Sequence, residues 1–298
     1  MSNIYAQLKK NTQNKNHVKV SKEEYAKEMQ QRRQKLFDMA EKQIYEVVSS
    51  PEKYVQFLNL LWRTDYTVTN TLLVMSQKPD STLLKSSSFW RECHHYIKKG
   101  EKGIQILEPA GEYEKSDGSI GTGYKIKHVF DASQINGTVM QEKPVLDVES
   151  YVSGLIYDSP VELNMLENAD EVNPVLYSPE SKCIFYSSGL DAQTLLQGLT
   201  REYCHVEFDK QYDNYSRESN RFFIESSSYL VCRKFGIQVD DQHFMNEVSS
   251  YFYGMSTNEI KKELTQIREL SQDVADRISR GIYKAQQNRN VEKVQKAR

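Results

Sequence analysis

The chain has 298 residues, of which 38% are hydrophobic and 27% are charged, and its formal net charge is −2 at pH 7. This composition excludes a fully disordered chain, and no apolar run approaches the length of a membrane span. The first residues lack the apolar stretch of a signal peptide, and the four cysteines form no Cys-x-x-Cys pair. We therefore expect a cytoplasmic protein with reduced thiols and no membrane partner.

Charge is distributed unevenly along the chain. Residues 1–50 and 259–298 carry more Lys and Arg than Asp and Glu, whereas residues 141–180 are acidic. Basic ends permit a local phosphate-binding surface on a protein of nearly neutral charge, although solvated helix faces give similar patterns. The net charge therefore does not exclude a nucleic-acid partner.

The N-terminal part of the chain predicts a group of helices. Residues 1–20 are polar and lack apolar periodicity, so we expect a flexible arm there. The capping-box pattern Ser21-Lys-Glu-Glu opens a predicted amphipathic helix that ends near residue 49. Pro51 opens a second helix, and a third is predicted at residues 70–77.

A β-hairpin is predicted after these helices. Its strands are expected at residues 104–107 and 124–130, and a glycine-rich loop at residues 116–123 separates them. Before the first strand, two glycines bracket a turn that carries Lys98, Lys99 and Lys102. This turn concentrates positive charge beside the predicted sheet.

The second half of the chain predicts a small sheet among helices. Strands are expected at residues 161–165 and 182–186 because β-branched and aromatic residues recur there. Helices are predicted by apolar spacing at residues 147–157, 191–209, 217–235, 241–253 and 258–283, before a basic polar tail.

The segment Arg201-Glu-Tyr-Cys-His205 lies in the predicted helix 191–209 and is similar to the zinc-peptidase motif His-Glu-x-x-His. In that motif two imidazoles at i and i+4 bind zinc and the Glu activates a metal-bound water. A carboxylate on the next helix, here Glu225, supplies a third ligand. Arg201 stands at the first ligand position, and a guanidinium has no lone pair to give a metal. Glu202 would be the catalytic base of an active enzyme.

His205 and Glu225 are therefore the candidate metal ligands, and two ligands rarely make a firm zinc site. We expect no cofactor, with zinc as the alternative. Arg201 is predicted instead to form an ion pair with Glu225, of a kind that can be bidentate, and so to join the two helices without metal. His243 or Cys204 could complete a ligand set, but single His and Cys residues are more often structural.

Several segments of the N-terminal half resemble ArdC-type antirestriction proteins and their LtrC-like relatives, which are encoded on plasmids and conjugative elements. The similar segments are residues 69–79, Trp90, residues 97–109 and residues 129–134. Within them, Lys-Lys-Gly-Glu-Lys-Gly at residues 98–103 is the most specific. The resemblance covers roughly residues 20–285. It implies an N-terminal domain that binds single-stranded DNA, followed by a zincin-like metallopeptidase domain from which this sequence departs at Arg201.

Together these patterns predict an α+β protein of two domains. N-terminal helices with a β-hairpin or small antiparallel sheet precede a zincin-like helical domain with a small sheet. The expected boundaries are a flexible arm at 1–20, a DNA-binding domain at 21–140, a linker at 141–150, a zincin-like domain at 151–255, and a C-terminal helix with a basic tail at 256–298.

Single-strand binding without sequence preference requires cations along a groove and exposed aromatic faces on which bases stack. The candidate cations are Arg63, Arg91, Lys98, Lys99, Lys102, Lys125 and Lys127. Tyr66, Trp90 and Tyr96 are candidate stacking residues, although large aromatic side chains more often belong to a core.

We therefore expect a single-stranded DNA-binding accessory protein of a mobile genetic element, of antirestriction type, with a degenerate and inactive peptidase-like domain. One alternative is an active zinc peptidase that uses an altered ligand set on DNA-associated proteins. Another is a non-catalytic module in which the peptidase-like groove holds a peptide or protein partner.

Overall fold

The computed structural model describes residues 21–114, 117–139, 145, 147–167, 173–239 and 246–296, with side chains up to residue 288. The predicted flexible arm, part of the predicted linker and His243 lie outside this part of the chain. The predicted α+β class is confirmed, with helices packed around two three-stranded sheets.

Three helices open the described chain. Helix α1 (Lys22–Ser49) begins at the predicted capping box, in which Ser21 Oγ accepts a hydrogen bond from the Glu24 amide at 3.1 Å. Helix α2 (Pro51–Thr64) begins at its proline. Helix α3 (Val68–Gln77) starts two residues earlier than predicted, because the Thr67 hydroxyl caps its first turn.

The first sheet contains the predicted hairpin and an additional strand. Strand β1 (Leu84–Ser86) and helix α4 (Ser87–Glu92) precede strands β2 (Ile104–Glu114) and β3 (Ile120–Asp131). The strand order is β1-β3-β2, and all pairs are antiparallel.

The hairpin strands extend beyond their predicted ends. Residues 121–123, expected in the loop, belong to β3. Gly121 and Thr122 pair with β2, and Gly123 lies at a register shift between Pro109 and Glu112. Glycine in a strand is compatible with such an irregularity, so the glycine-rich sequence marks a bulged hairpin end and not an extended loop.

The second sheet follows helix α5 (Val148–Ile156). It consists of β4 (Glu162–Leu166), β5 (Val175–Ser178) and β6 (Cys183–Ser187), in the order β4-β6-β5. Strand β6 pairs parallel to β4 and antiparallel to β5. The four-residue strand β5 was not predicted from sequence, because it lies between two prolines and is defined by pairing with β6.

The remaining helices are α6 (Ala192–Gln211), α7 (Arg221–Lys234), the short α8 (Val248–Tyr251) and α9 (Thr257–Lys296). Helix α7 starts four residues later than predicted, so Arg217 lies in the preceding turn. Helix α9 continues through the residues expected to form a polar tail. For the predicted helix at 241–253, only α8 and the residues from 246 onward are described.

Buried apolar side chains from both halves of the chain form one hydrophobic cluster. Helix α2 contacts α7 directly, since Tyr54 Oη donates to Ser226 Oγ at 2.9 Å and Tyr229 Oη donates to Asn59 Oδ1 at 3.0 Å. The predicted domain boundaries stay a prediction, but the two halves share a continuous core. Among the described residues, no helix is both long enough and apolar enough to cross a membrane.

Helices α5 and α9 cross with their backbones in contact. A Cβ atom added at Gly154 would lie 2.6 Å from the Ile278 carbonyl oxygen, and one at Gly281 would lie 2.8 Å from Gly154 Cα. Near this crossing, Arg277 Nη1 donates to the Leu155 carbonyl at 2.8 Å and so satisfies the C-terminal end of α5.

Candidate functional site

Helix α6 carries the peptidase-like motif on the face that looks toward the second sheet and α7. Arg201 and His205, four residues apart, line a cavity of about 280 Å³ together with Glu225 of α7 and Arg217. Glu202 is completely buried, and His205 is 3% exposed. The structure thus brings together the predicted residues Arg201, Glu202, His205 and Glu225.

The Glu202 carboxylate is surrounded by hydrogen-bond donors. Its Oε1 accepts from Arg201 Nε at 3.0 Å and from Arg217 Nη1 at 3.3 Å. Its Oε2 accepts from Arg217 Nη2 and from the Tyr177 amide, the latter at 2.8 Å. A carboxylate has about four acceptor positions, so these contacts saturate Glu202.

Glu202 is held in its ionised form. Burial by itself would raise its pKa, but the hydrogen bond and positive charge of Arg217 outweigh burial, and the pKa is lowered. A carboxylate with a lowered pKa and saturated acceptor positions is a poor general base. This environment suits a structural anion.

The contact between Arg217 and His205 fixes the histidine tautomer. Arg217 Nη1 lies 3.2 Å from His205 Nε2, and Tyr215 Oη lies 2.9 Å from His205 Nδ1. Because a guanidinium has donors only, Nε2 must accept through its lone pair, and the ring proton sits on Nδ1. His205 therefore donates to Tyr215 and uses its free lone pair on Arg217.

The histidine is neutral in this environment. Burial is the largest cause that lowers the pKa of His205 to about 3, and the positive charges of Arg217 and Arg201 act in the same direction. The negative charge of Glu202 opposes them without restoring the ordinary value.

Arg201 contacts both carboxylates of the cleft. Its Nε lies 3.0 Å from Glu202 Oε1, whereas its Nη1 lies 4.0 Å from Glu225 Oε1. The structure therefore places Arg201 within ion-pair distance of Glu225 through a single long contact, and the shorter contact is with the adjacent Glu202.

These residues do not fit a divalent metal ion. Arg201 offers no lone pair, Arg217 engages the lone pair of His205, and the described part of the chain holds no group of three His, Cys, Asp or Glu side chains arranged for a metal. Cys204 is fully buried, and burial raises the pKa of its thiol well above its usual value. It therefore stays a protonated thiol.

Positive charge in the cleft is balanced locally. Arg201 and Arg217 both contact Glu202, Arg201 also approaches Glu225, and Arg221 is paired with Glu247. Balanced ion pairs create little field for a polyanion. The cleft therefore lacks the positive field that a DNA groove requires.

Sequence reasoning missed Arg217, Tyr215 and Tyr177, which complete the cleft. No local pattern marks them, because they come from a turn and a strand distant in sequence. The motif itself gave a usable signal. If Glu202 is buried without a metal ion, another cation must balance its charge. Arg217, in the turn before α7, was available for this role.

The predicted lysine turn lies against the end of strand β3. Gln134 Nε2 donates to the Lys102 carbonyl at 2.9 Å and to Glu101 Oε2 at 2.8 Å, and Lys98 Nζ donates to the Ser133 carbonyl at 2.7 Å. These bonds fix the turn, and the side chains of Lys98, Lys99 and Lys102 are exposed.

Of the aromatic residues near this turn, Trp90 differs from the prediction and Tyr96 has the predicted exposure. Trp90 is 1% exposed and its Nε1 donates to the Phe130 carbonyl at 2.9 Å, so Trp90 is a core residue and not a stacking platform. Tyr96 is 61% exposed and Phe89 is 39% exposed. Lys85 Nζ lies 5.2 Å from the centroid of the Phe89 ring.

The other predicted DNA contacts already have protein partners. Lys125 and Lys127 bind Glu108 at 2.9 and 2.6 Å, and their hydrogen bonds lower the pKa of Glu108 to about 2. Arg63 Nη1 donates to the Ser81 carbonyl at 3.2 Å, and Tyr66 is partly buried against the core.

Sequence comparisons return no match, since no family model and no curated protein is similar to this chain. By fold, the chain is similar to the crystal structure of the antirestriction ArdC protein from the R388 plasmid in its metal-free form. The TM-score is 0.55 at 16% identity, over 83% of this chain and 98% of that chain. The Mn(II)-bound ArdC structure gives a TM-score of 0.51 at 16% identity, over 74% and 91%. The chain therefore has an ArdC-type fold, as the resemblance implied.

Proposed function

We propose that this protein binds single-stranded DNA without sequence preference through the lysine turn at residues 98–102 and the exposed rings of Phe89 and Tyr96. We further propose that it acts as an antirestriction-type accessory protein of a mobile genetic element, and that its peptidase-like half is not catalytic. The observation that carries this proposal is the exposure of three lysines on one turn and of two aromatic rings close to them in sequence, on an ArdC-type fold.

Two properties of the surface support this binding mode. Lys98, Lys99 and Lys102 are exposed on a turn that hydrogen bonds hold in place, so little order is lost when phosphates bind. Exposed aromatic rings stack on any base, which gives affinity without sequence preference. Tyr96 therefore stays a stacking candidate, and Phe89 takes the place of Trp90.

Fluorescence anisotropy with a labelled oligothymidylate, repeated over a salt series, tests the DNA proposal. Binding should weaken as salt rises, because phosphate contacts release counterions. The triple variant K98Q/K99Q/K102Q should bind more weakly and reduce the salt slope by about 2, at roughly 0.7 per lost single-strand contact.

The Y96A variant should weaken binding at least about fivefold without a change in salt slope, since a stacked base contributes roughly 1–3 kcal/mol. A matched control is E108Q/K125Q/K127Q, which removes two lysines that are already paired together with the carboxylate that pairs them. The DNA proposal is rejected if the triple variant keeps the wild-type affinity and slope.

The antirestriction role has its own test in cells. Transfer of unmodified plasmid DNA into a restricting host should rise when the wild-type protein is produced there, and the triple lysine variant should lose this protection. Equal protection by the wild-type protein and the triple variant would show that the cellular role does not depend on DNA binding through the lysine turn.

The geometry of the cleft argues against the two alternative functions. An active peptidase would need Glu202 to accept a proton from water, but its acceptor positions are filled by arginines and the Tyr177 amide. A module that adds a peptide strand to β5 would need a free strand edge. The amide and carbonyl of Tyr177 on β5 are instead bonded to Glu202 and Arg217.

A further inference from the structure

We propose that Arg217 is a built-in cation that takes the place of a metal ion in the cleft, and that Arg201 and Arg217 are the two residues that separate this chain from a divalent metal site. This inference concerns the cleft alone and does not depend on DNA binding.

Arg217 makes the two contacts that a cation in this cleft would make. Its guanidinium contacts both oxygens of the fully buried Glu202 carboxylate and is the main counter-charge of this group, beside the single contact from Arg201. Its Nη1 also lies 3.2 Å from His205 Nε2, the nitrogen whose lone pair would bind a metal. The Arg217 guanidinium thus contacts both Glu202, at the base position of the motif, and His205, at its second ligand position.

Arg201 occupies the position at which the motif would supply its first metal ligand. It lies four residues before His205 and lines the same cavity, so a histidine at this position would present its imidazole on the same helix face. Glu225 lines that cavity from α7 and would be the third ligand. Replacement of Arg201 alone leaves the Arg217 guanidinium on His205 Nε2, so both arginines must change.

The orientation of His205 is already that of a metal ligand. Its Nδ1 proton is donated to Tyr215 Oη at 2.9 Å, which points Nε2 into the cleft. Metal-binding histidines are usually oriented by such a bond on the other ring nitrogen. The hydrogen bond that would orient His205 as a metal ligand is therefore present, although the set of metal ligands is incomplete.

Metal content and thermal unfolding of the full chain test this proposal, with Zn²⁺ and Mn²⁺ as probes. The variants are R201H, R201H/R217Q and R201H/R221Q. The last is a matched control, because Arg221 lines the same cavity but is paired with Glu247. After dialysis, R201H/R217Q should retain about one metal ion per chain, and its Tm should rise with added metal.

Wild type, R201H and R201H/R221Q should retain no stoichiometric metal and show no Tm shift. Stoichiometric metal in wild type or in R201H would overturn the proposal, because Arg217 would then not exclude the ion. A folded R201H/R217Q variant that binds neither ion would overturn it as well.

The single variants R217Q and R217K keep the proposal testable if the double variant does not fold. R217Q should lower the Tm by about 5–10 °C, since it leaves Glu202 buried without its main counter-charge. R217K keeps a cation and should recover part of this loss. A wild-type Tm for R217Q would show that Arg217 is not the resident cation and would overturn the proposal.

Discussion

At the scale of single residues, the cleft depends on a histidine that stays neutral. His205 is 3% exposed, accepts from Arg217 and donates to Tyr215, so a second proton would have no acceptor and would sit beside a guanidinium. Burial first, and then the positive charges of Arg217 and Arg201, lower the pKa of His205 to about 3. The unfolded chain, in contrast, binds a proton near the ordinary histidine value.

This difference predicts that acid weakens the fold well above the range in which carboxylates titrate. Below about pH 6.5 the unfolded state gains a proton that the folded state cannot take until about pH 3. The stability due to neutral His205 is fully present above pH 6.5 and is lost as the pH falls. The free energy of unfolding should drop by about 1.5 kcal/mol between pH 6.5 and pH 5, as measured by urea titration.

The control is a comparison of H205Q with H128Q, in which an exposed histidine is replaced. H205Q should flatten the pH dependence over this range, and H128Q should keep it. The same slope in H205Q and wild type would contradict the assignment to His205.

The sequence was sufficient to bring Arg201 and His205 to one helix face and to place Glu225 opposite them. Helical spacing determines the first pair. Glu225 lies on another helix, and its place followed from the similarity to the zinc-peptidase motif. The sequence could not identify Arg217 or Tyr177, because their positions depend on how a turn and a short strand pack onto α6. Trp90 was misassigned for a related reason, since a tryptophan near lysines has the same sequence pattern whether it is buried or exposed.

At the scale of secondary structure elements, the crossing of α5 and α9 fixes the position of the longest helix. An alanine is normally the better helix former by about 1 kcal/mol, which would favour replacement of glycine. At Gly154, however, an added Cβ would lie 2.6 Å from a backbone oxygen of α9, which cannot move without shifting the helix. We therefore expect the steric cost of the added methyl group to exceed the gain in helix propensity.

We expect G154A to lower the free energy of unfolding by about 1–3 kcal/mol in urea titrations, and Q286A, on the exposed face of α9, to stay within about 0.5 kcal/mol of wild type. Increased stability in G154A would show that the helices do not meet at this residue.

Elements with a strong local signal were predicted well. The capping box of α1, the proline of α2 and the alternation of the hairpin all act within a few residues. Strands β1 and β5 were not predicted, because strands of three and four residues derive their conformation from long-range pairing. The end of α9 was also misjudged, since a polar sequence does not by itself end a helix.

At the scale of the whole molecule, the shared hydrophobic cluster predicts that the two halves unfold together. Trp90 lies in the core of the N-terminal half, and Trp62 lies where that half meets α7, with the Arg233 guanidinium 5.8 Å from its ring centroid. Tryptophan fluorescence therefore reports on the N-terminal half and its contact with α7, whereas far-UV circular dichroism reports on all helices. The two signals should give coincident urea transitions.

The Y54F variant removes the hydrogen bond to Ser226 and should shift both transitions together, by about 1 kcal/mol. Tyr25→Phe is the control, because that side chain is 60% exposed. Two separate transitions in wild type would instead support independent domains at the predicted boundaries.

Glu108 reduces the number of lysines on the hairpin surface that can contact DNA. Its carboxylate sits between Lys125 and Lys127 as a DNA phosphate would, so it is a resident competitor for both amino groups. A nucleic acid that reaches this face must displace an anion tethered to the same strand pair. Lys125 and Lys127 of β3 should therefore release no counterions when DNA binds. The salt dependence of binding should be that of a surface with about three contacts, with a slope of roughly −2.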